Sequence, residues 1–300
     1  MFPLFLQGIS SVSCDTFRYS ATFAAITCMH ARVRTSFVRS YEVGPDHRLT
    51  VPALLAALHD LGQQHAAVHG YGYETLRLQR RAWALVSMDL VMTAPLPRGE
   101  ATYTTATAVA GRKGPLVYRD YQLHSGVVEA AQLAASRSVV SGRSAWVFLD
   151  LERRRAARLS SALQAVLDRT QQPLQHAITH PARLDWSQLS GEQRDEQSFQ
   201  QHRVGLHDCD FNGHLNNVVA ARWLLDSIAR AHPHLLQCTG RRRLQITYST
   251  EGRQDDLLAC ELAASSVDGL LAAAARLFHP HSNEEVAVLR WSMDAPSGDA

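Results

Sequence analysis

Apolar and polar positions along this chain fall into the same order twice. Val51, Leu54, Leu58, Leu61 and Val68 recur at three- and four-residue spacing, with His65 on the same face, which predicts a helix with one buried side. Thr50 is placed to cap its start, Pro52 falls in the first turn, and Gly70 stands at its stop. A second set, Leu215, Val218, Ala221, Leu225 and Ile228, predicts another helix, which Pro233 ends. After the first helix, strand-like runs separated by turn residues predict strands over 83–93, 101–110, 116–124 and 144–149. After the second, they predict strands over 244–251, 257–264, 270–278 and 286–293. Each half is therefore expected to be α+β: a strand, a long helix, then an antiparallel sheet that wraps the helix, with the two halves packed as a pseudo-dimer.

The pattern sets the expected boundaries. Residues 35–150 form the first unit and 198–296 the second. The stretch 151–197 reads as a linker, strongly basic over 152–158, later rich in Gln, Ser, Asp and Glu, and broken by Pro173 and Pro181. Residues 1–34 carry few charges before Arg32 and Arg34, and no basic region precedes the apolar start at Met1–Leu6. They are expected to be a disordered extension or a mis-called start, not a secretory signal.

Composition narrows the function classes. A 300-residue chain with 46% hydrophobic content can build two medium cores. Its net charge of +2 argues against a nucleic-acid partner, and no apolar run is long enough to span a bilayer, so a cytoplasmic protein is expected. The five cysteines, Cys14, Cys28, Cys209, Cys238 and Cys260, are odd in number and fit no metal-ligand spacing. No metal and no cofactor are expected.

The chemistry concentrates over 204–217, V-G-L-H-D-C-D-F-N-G-H-L-N-N, where Asp210, Asn212 and His214 alternate just before the second helix. Free backbone N–H groups and the positive end of the helix dipole favour developing negative charge there. Such a trio can activate water, orient it and stabilise an oxyanion, the needs of ester or thioester hydrolysis. The competing reading is structural, because Asp and Asn also cap helices and make turns. The repeat separates the two. Asp46-His47-Arg48-Leu49-Thr50 is read as the first copy, and with the aspartates aligned Asn212 meets Arg48 and His214 meets Thr50. Only the second copy keeps the trio, as one active and one silent site would require. Continuing the alignment sets Glu251 opposite Pro95, on the polar face of a strand in which Leu244, Ile246 and Tyr248 alternate with Gln245, Thr247 and Ser249. A surface glutamate is the alternative for Glu251, and Cys209 beside Asp210 is an alternative nucleophile with no activating base adjacent in sequence.

Over nearly all of 35–293 the sequence resembles the acyl-acyl carrier protein (acyl-ACP) thioesterases of plants and bacteria. The likeness runs through Tyr41-Glu42, Asp46, His65, Gly70, Trp83, Arg119-Asp120, Ser144-x-Trp146-Val147 and Arg153-Arg154-Arg155 in the first half. In the second it runs through Asp210-x-Asn212-x-His214-x-Asn216-Asn217, Trp223 and Tyr248-x-x-Glu251. Plant members commonly carry Cys after the last glutamate, where this chain has Gly252, and Trp where it has Tyr121.

The resemblance implies tandem hotdog domains and water attack on an acyl-ACP thioester, in fatty acid biosynthesis. The catalytic residues it implies are Asp210, Asn212, His214 and Glu251, with Asp210 or Glu251 as base and Asn212 and His214 polarising the carbonyl or orienting water. A carboxylate shielded by the acyl pocket is expected to be the better base. The silent first half is expected to hold the acyl tail along Leu54, Leu58, Leu61 and Met88. The implied partner is an acidic carrier bearing a phosphopantetheine-linked acyl chain, with Arg153, Arg154, Arg155 and Arg241, Arg242, Arg243 as docking candidates. A homodimer is compatible with this reading. Rival readings are an acyl-CoA or polyketide-type thioesterase, a hotdog hydro-lyase, and a catalytically silent acyl-binding protein.

Overall fold

The computed structural model describes residues 31–189, 200–237, 240–267 and 270–294. The expected extension over 1–30, and with it Cys14 and Cys28, lies outside them, as do residues 190–197 of the expected linker, Cys238 and the end of the second unit past 294.

Both long helices form where the apolar spacing sets them. The first, α1, is Val51–Val68; Thr50 accepts from the Ala53 N–H at its start and Pro52 lies in its first turn. The second, α5, is Asn217–Ala231, capped by Asn216, whose side chain accepts from the Val218 N–H. Asn216 is thus a cap, as the structural reading of the polar run allowed.

The first unit contains β1 (Ala31–Phe37), α1, a short α2 (Tyr73–Leu78), β2 (Arg81–Met92), β3 (Thr102–Lys113), β4 (Leu116–Ser125) and β5 (Val140–Asp150). The joining segment holds β6 (Arg155–Ala156), α3 (Ser161–Arg169) and α4 (Trp186–Leu189). The second unit contains β7 (Gln200–Arg203), α5, α6 (Pro233–Gln237), β8 (Arg242–Tyr248), β9 (Leu257–Val267), β10 (Leu270–His279) and β11 (Glu284–Asp294). One antiparallel sheet runs β1-β3-β4-β5-β2-β8-β11-β10-β9-β7, with β6 paired to β5. The two halves therefore fuse edge to edge through β2 and β8, where Asp89 pairs with Gln245. They also share a core: Leu54, Leu58 and Met88 pack in one cluster with Leu224, Ile228 and Ile246.

Three expectations need correction. First, Ala31–Phe37 is a strand paired to β3, so the first unit begins inside the stretch assigned to the extension. Second, the linker is structured over much of its length. Leu167 of α3 packs with Val109 and Val117, while Trp186 packs on Ala263, Ala274 and Val288 of the second unit's sheet. Buried Asp120 clasps the linker further, accepting from Arg143 at 2.6 and 3.0 Å and from the Leu174 N–H at 2.9 Å, with His176 Nε2 at 2.8 Å.

The third correction is to the register of the repeat. The 3-10 turn Ser40–Glu42 matches Leu206–Asp208, the bridge Val43↔Leu49 matches Cys209↔Leu215, and the cap Thr50 matches Asn216. Asp210 thus stands opposite Gly44, Asn212 opposite Asp46 and His214 opposite Arg48, two residues from the register that aligning the aspartates suggests. The bridges Arg48↔Arg98 and His214↔Arg253 set Glu251 opposite Leu96 rather than Pro95. The contrast between halves survives, since the first copy offers Gly, Asp, Arg and Leu at the four positions.

Candidate active site

Asp210 organises the loop before α5. Its Oδ1 accepts from the N–H groups of Asn212 at 2.8 Å and His214 at 3.2 Å, and its Oδ2 lies 3.4 Å from the Asn212 side-chain nitrogen. This is the turn-forming habit of aspartate ahead of a helix. The backbone closes the same loop, because Asp210 N–H donates to the His214 carbonyl at 2.7 Å.

Glu251 lies in the loop after β8, not on the polar face of a strand, because β8 ends at Tyr248. The loop is fixed by the Leu215 N–H, which donates to the Gly252 carbonyl at 2.7 Å. A Cβ at Gly252 would meet the side chains of Leu258 and Leu215 at 3.1 and 3.2 Å, tighter than ordinary van der Waals contact. The result brings His214 Nε2 to 3.2 Å from Glu251 Oε2.

The same Oε2 accepts from Arg154 at 3.0 Å and lies 3.5 Å from Arg253. Arg154 belongs to the joining segment, so that segment sends a guanidinium to the second unit's carboxylate. Glu251 is 39% exposed at its side chain and faces two cations, in contrast to the shielded carboxylate expected from sequence. Its Oε1 has no hydrogen-bond partner among the described residues. Phe211, in the same loop, packs against Tyr73 of α2 with ring centroids 3.7 Å apart, a second contact across the units at the site.

Cys209 is half-buried, and its thiol is held above its ordinary range by burial and by Asp208 and Asp210. It is a poor thiolate nucleophile.

The docking arginines divide. Arg153, Arg154, Arg155 and Arg241 are exposed. Arg242 is buried and donates to the Ala94 carbonyl, and Arg243 grips Asp89 at 2.6 and 2.8 Å, so these two do not offer free charge to a carrier. Sequence reading missed Arg80, which is exposed next to the turn that carries Arg153–Arg155 because the Leu151 N–H donates to the Arg80 carbonyl.

Leu54, Leu58, Leu61 and Met88, expected along the acyl tail, are fully buried, and a cleft of the first unit is lined by His59, Gly62 and Ala66 of α1 with Tyr71, Trp83 and Trp146. The helix spacing that made Leu54 and Leu58 conspicuous marks a face buried in the core that the two units share.

Comparison with known proteins agrees with this architecture. A family model described as the acyl-ACP thioesterase N-terminal domain matches residues 32–167, and one for the C-terminal domain matches 191–286. Oleoyl-acyl carrier protein thioesterase 1 of Arabidopsis thaliana, described as chloroplastic, is 26% identical over 276 residues, covering 86% of this chain and 71% of that protein. The chloroplastic palmitoyl-acyl carrier protein thioesterase of Cuphea hookeriana is 21% identical, and the match covers 74% of this chain and about half of that protein (52%). Two solved structures share the tandem hotdog fold. The 12:0-ACP thioesterase from Umbellularia californica has a TM-score of 0.69 at 17% identity, over 87% of this chain and 96% of that one. An acyl-ACP thioesterase from Bacteroides thetaiotaomicron has a TM-score of 0.67 at 18% identity, over 88% and 97%. No helix among the described residues is long and apolar enough to cross a membrane.

Proposed function

The chain belongs to the acyl-ACP thioesterase family, hydrolases of the thioester bond that serve fatty acid biosynthesis, and from that premise we propose which residues perform the hydrolysis. Glu251 is the base. Its Oε1 is open while Oε2 is held by Arg154 and His214, so one oxygen is oriented and the other takes the proton from the attacking water. The exposed amide of Asn212 donates to the developing oxyanion, and His214, whose Nε2 faces Glu251, orients the water through its accepting Nδ1. Asp210 holds the loop that presents both. The single observation that carries this reading is the 3.2 Å approach of His214 to Glu251, two residues from different loops that the fold brings together.

The acyl chain enters the first unit, along the cleft bounded by Trp83 and Trp146. Support comes from Phe211 on Tyr73, which brings the loop of Asp210 and His214 against the first unit. The carrier docks on the exposed Arg80, Arg153 and Arg155, whose charge complements an acidic partner.

The test is thiol release from acyl carrier protein and coenzyme A thioesters across chain lengths, monitored with a thiol reagent. The wild type is expected to release thiol from the carrier substrate, and Glu251→Gln to slow it by at least about a hundredfold. A folded wild type that releases no thiol would overturn the reading.

A further inference from the structure

The main chain around Glu251 is fixed without help from its carboxylate. On one side the Ser249 N–H donates to the Val286 carbonyl at 2.9 Å and the Thr250 hydroxyl to the Glu285 carbonyl at 2.8 Å. On the other, the Gly252 carbonyl accepts from the Leu215 N–H, and the Arg253 N–H donates to Asp256 at 2.8 Å. His279, at the end of β10, places Nε2 3.3 Å from the Glu251 carbonyl itself. A carbonyl only accepts, so that nitrogen is the donor.

What these bonds leave open is the direction of the carboxylate, because the glutamate side chain keeps its own rotatable bonds and is partly in water. Its Oε2 meets two cations and an imidazole. Arg154 donates at 3.0 Å, within the normal range for an N–H···O bond, His214 Nε2 stands at its limit at 3.2 Å, and Arg253 at 3.5 Å lies beyond it. Of the two cations, Arg154 is the one whose bond sets a direction.

Arg154 is delivered by a closely built turn. β5 and β6 form a hairpin in which Asp150 pairs with Arg155, and Arg154 is the last residue of the loop 151–154 between them. Asp150 Oδ1 accepts from the N–H groups of Glu152 and Arg153 at 3.1 and 2.9 Å, while its Oδ2 meets Arg81 at 3.1 Å. At Arg154 the backbone is left-handed, with φ 49°, a conformation that costs any residue with a Cβ. The second unit supplies a comparison. Its β10–β11 hairpin pairs His279 with Glu284 across the equally long loop 280–283, whose last residue, Asn283, is also left-handed at φ 57°. Asparagine enters that region readily, whereas arginine has no local bond to offset the cost. The β5–β6 hairpin therefore forgoes the easier residue at the position whose side chain reaches Glu251. Stability does not explain the choice, because Arg154 is 65% exposed and an exposed ion pair adds little. Backbone strain kept where a side chain meets the reacting group points to function.

Resting on the reading of Glu251 as the base, we propose that Arg154 is a positioning residue for the hydrolysis and not a docking residue: it holds Oε2 so that Oε1 stays aimed at the attacking water. The joining segment thereby completes the second unit's site.

The experiment measures kcat and KM separately, on the acyl carrier protein thioester that the wild type hydrolyses fastest, together with a thermal melt. Arg154→Asn removes the guanidinium and suits the left-handed turn, so kcat is expected to fall roughly tenfold with KM changed by less than about twofold, while Tm stays equal or rises. Arg154→Lys, which keeps the charge without the planar fork, is expected to recover part of the lost kcat. In a Glu251→Gln background the Arg154→Asn change is expected to cost less than about twofold, since no carboxylate remains to be held. A raised KM with unchanged kcat would return Arg154 to docking and overturn the proposal. A fall in kcat of equal size in both backgrounds, no fall at all, or a fall that comes with a lowered Tm or an unfolded variant would overturn it too. Each of these outcomes leaves the thioesterase reading standing. A folded wild type that releases no thiol would overturn both.

Discussion

At the scale of single residues, three neighbouring acids in the loops proposed for catalysis do different work. Asp208 caps the 3-10 turn by accepting from the Gly205 N–H, Asp210 holds the N–H groups of Asn212 and His214, and Glu251 alone pairs with the imidazole while keeping an open oxygen. Asp210→Asn retains an Oδ1 acceptor, so it should lose well under the roughly hundredfold expected of Glu251→Gln in the same thiol-release assay. Equal losses would return the charge of Asp210 to the chemistry. Cys209→Ser should keep most activity, because burial and the flanking Asp208 and Asp210 hold the thiol protonated. An acyl-cysteine trapped on the wild type, with activity lost in a folded Cys209→Ser protein, would replace water attack by covalent catalysis.

At the scale of elements, α1 serves two neighbours at once. Leu54 and Leu58 lie in the core shared by both units, while His59, Gly62 and Ala66 line the cleft. The histidine has a consequence for stability. Burial beside Trp146 leaves its Nε2 without a partner and pushes the His59 pKa down to about 4 from 6.5. Below 6.5 the unfolded chain gains a proton that the folded chain refuses, so stability present above that pH is lost as pH falls from 6.5 toward 4. His124 and His202, also lowered chiefly by burial, act in the same direction. Thermal melts at pH 7 and pH 5 should show a drop in Tm that is smaller in His59→Gln. An identical drop in both proteins would exclude His59 as a contributor.

At the scale of the whole molecule, the seam between the halves is a strand pair with a charge at its centre. Asp89, fully buried, pairs with Gln245 across the seam, accepts from its side chain at 3.2 Å and from Arg243 at two oxygens. The two units are consequently one folding body: the sheet is continuous and the core is shared. Asp89→Ala would strand the guanidinium of Arg243 at the seam. Because Arg243 is nearly half exposed and can rehydrate, the loss should be about 2–3 kcal/mol, below that of a fully enclosed pair. A chemical-denaturation midpoint unchanged from wild type would show that the seam does not depend on this charge.

The sequence by itself determined the elements and the repeat. Both helices, their caps at Thr50 and Asn216, and eight of the strands follow from local periodicity and turn chemistry, which depend only on near neighbours along the chain. It also determined that Asp210, Asn212 and His214 form one cluster, because alternate residues of one tight loop must lie together. What the tertiary structure decided was everything that depends on distant segments meeting. The register of the repeat moved by two residues, since gaps are set by matching bridges and turns in space rather than by matching aspartates. Arg154 reached Glu251, Arg243 was engaged by Asp89 while staying nearly half exposed, and the cleft opened on the His59 face of α1 while Leu54 and Leu58 went into the shared core. A helix wheel shows which side is apolar, but a helix clasped between a sheet and a second helix has more than one buried side, and only the packing partners assign one to the core and another to a ligand.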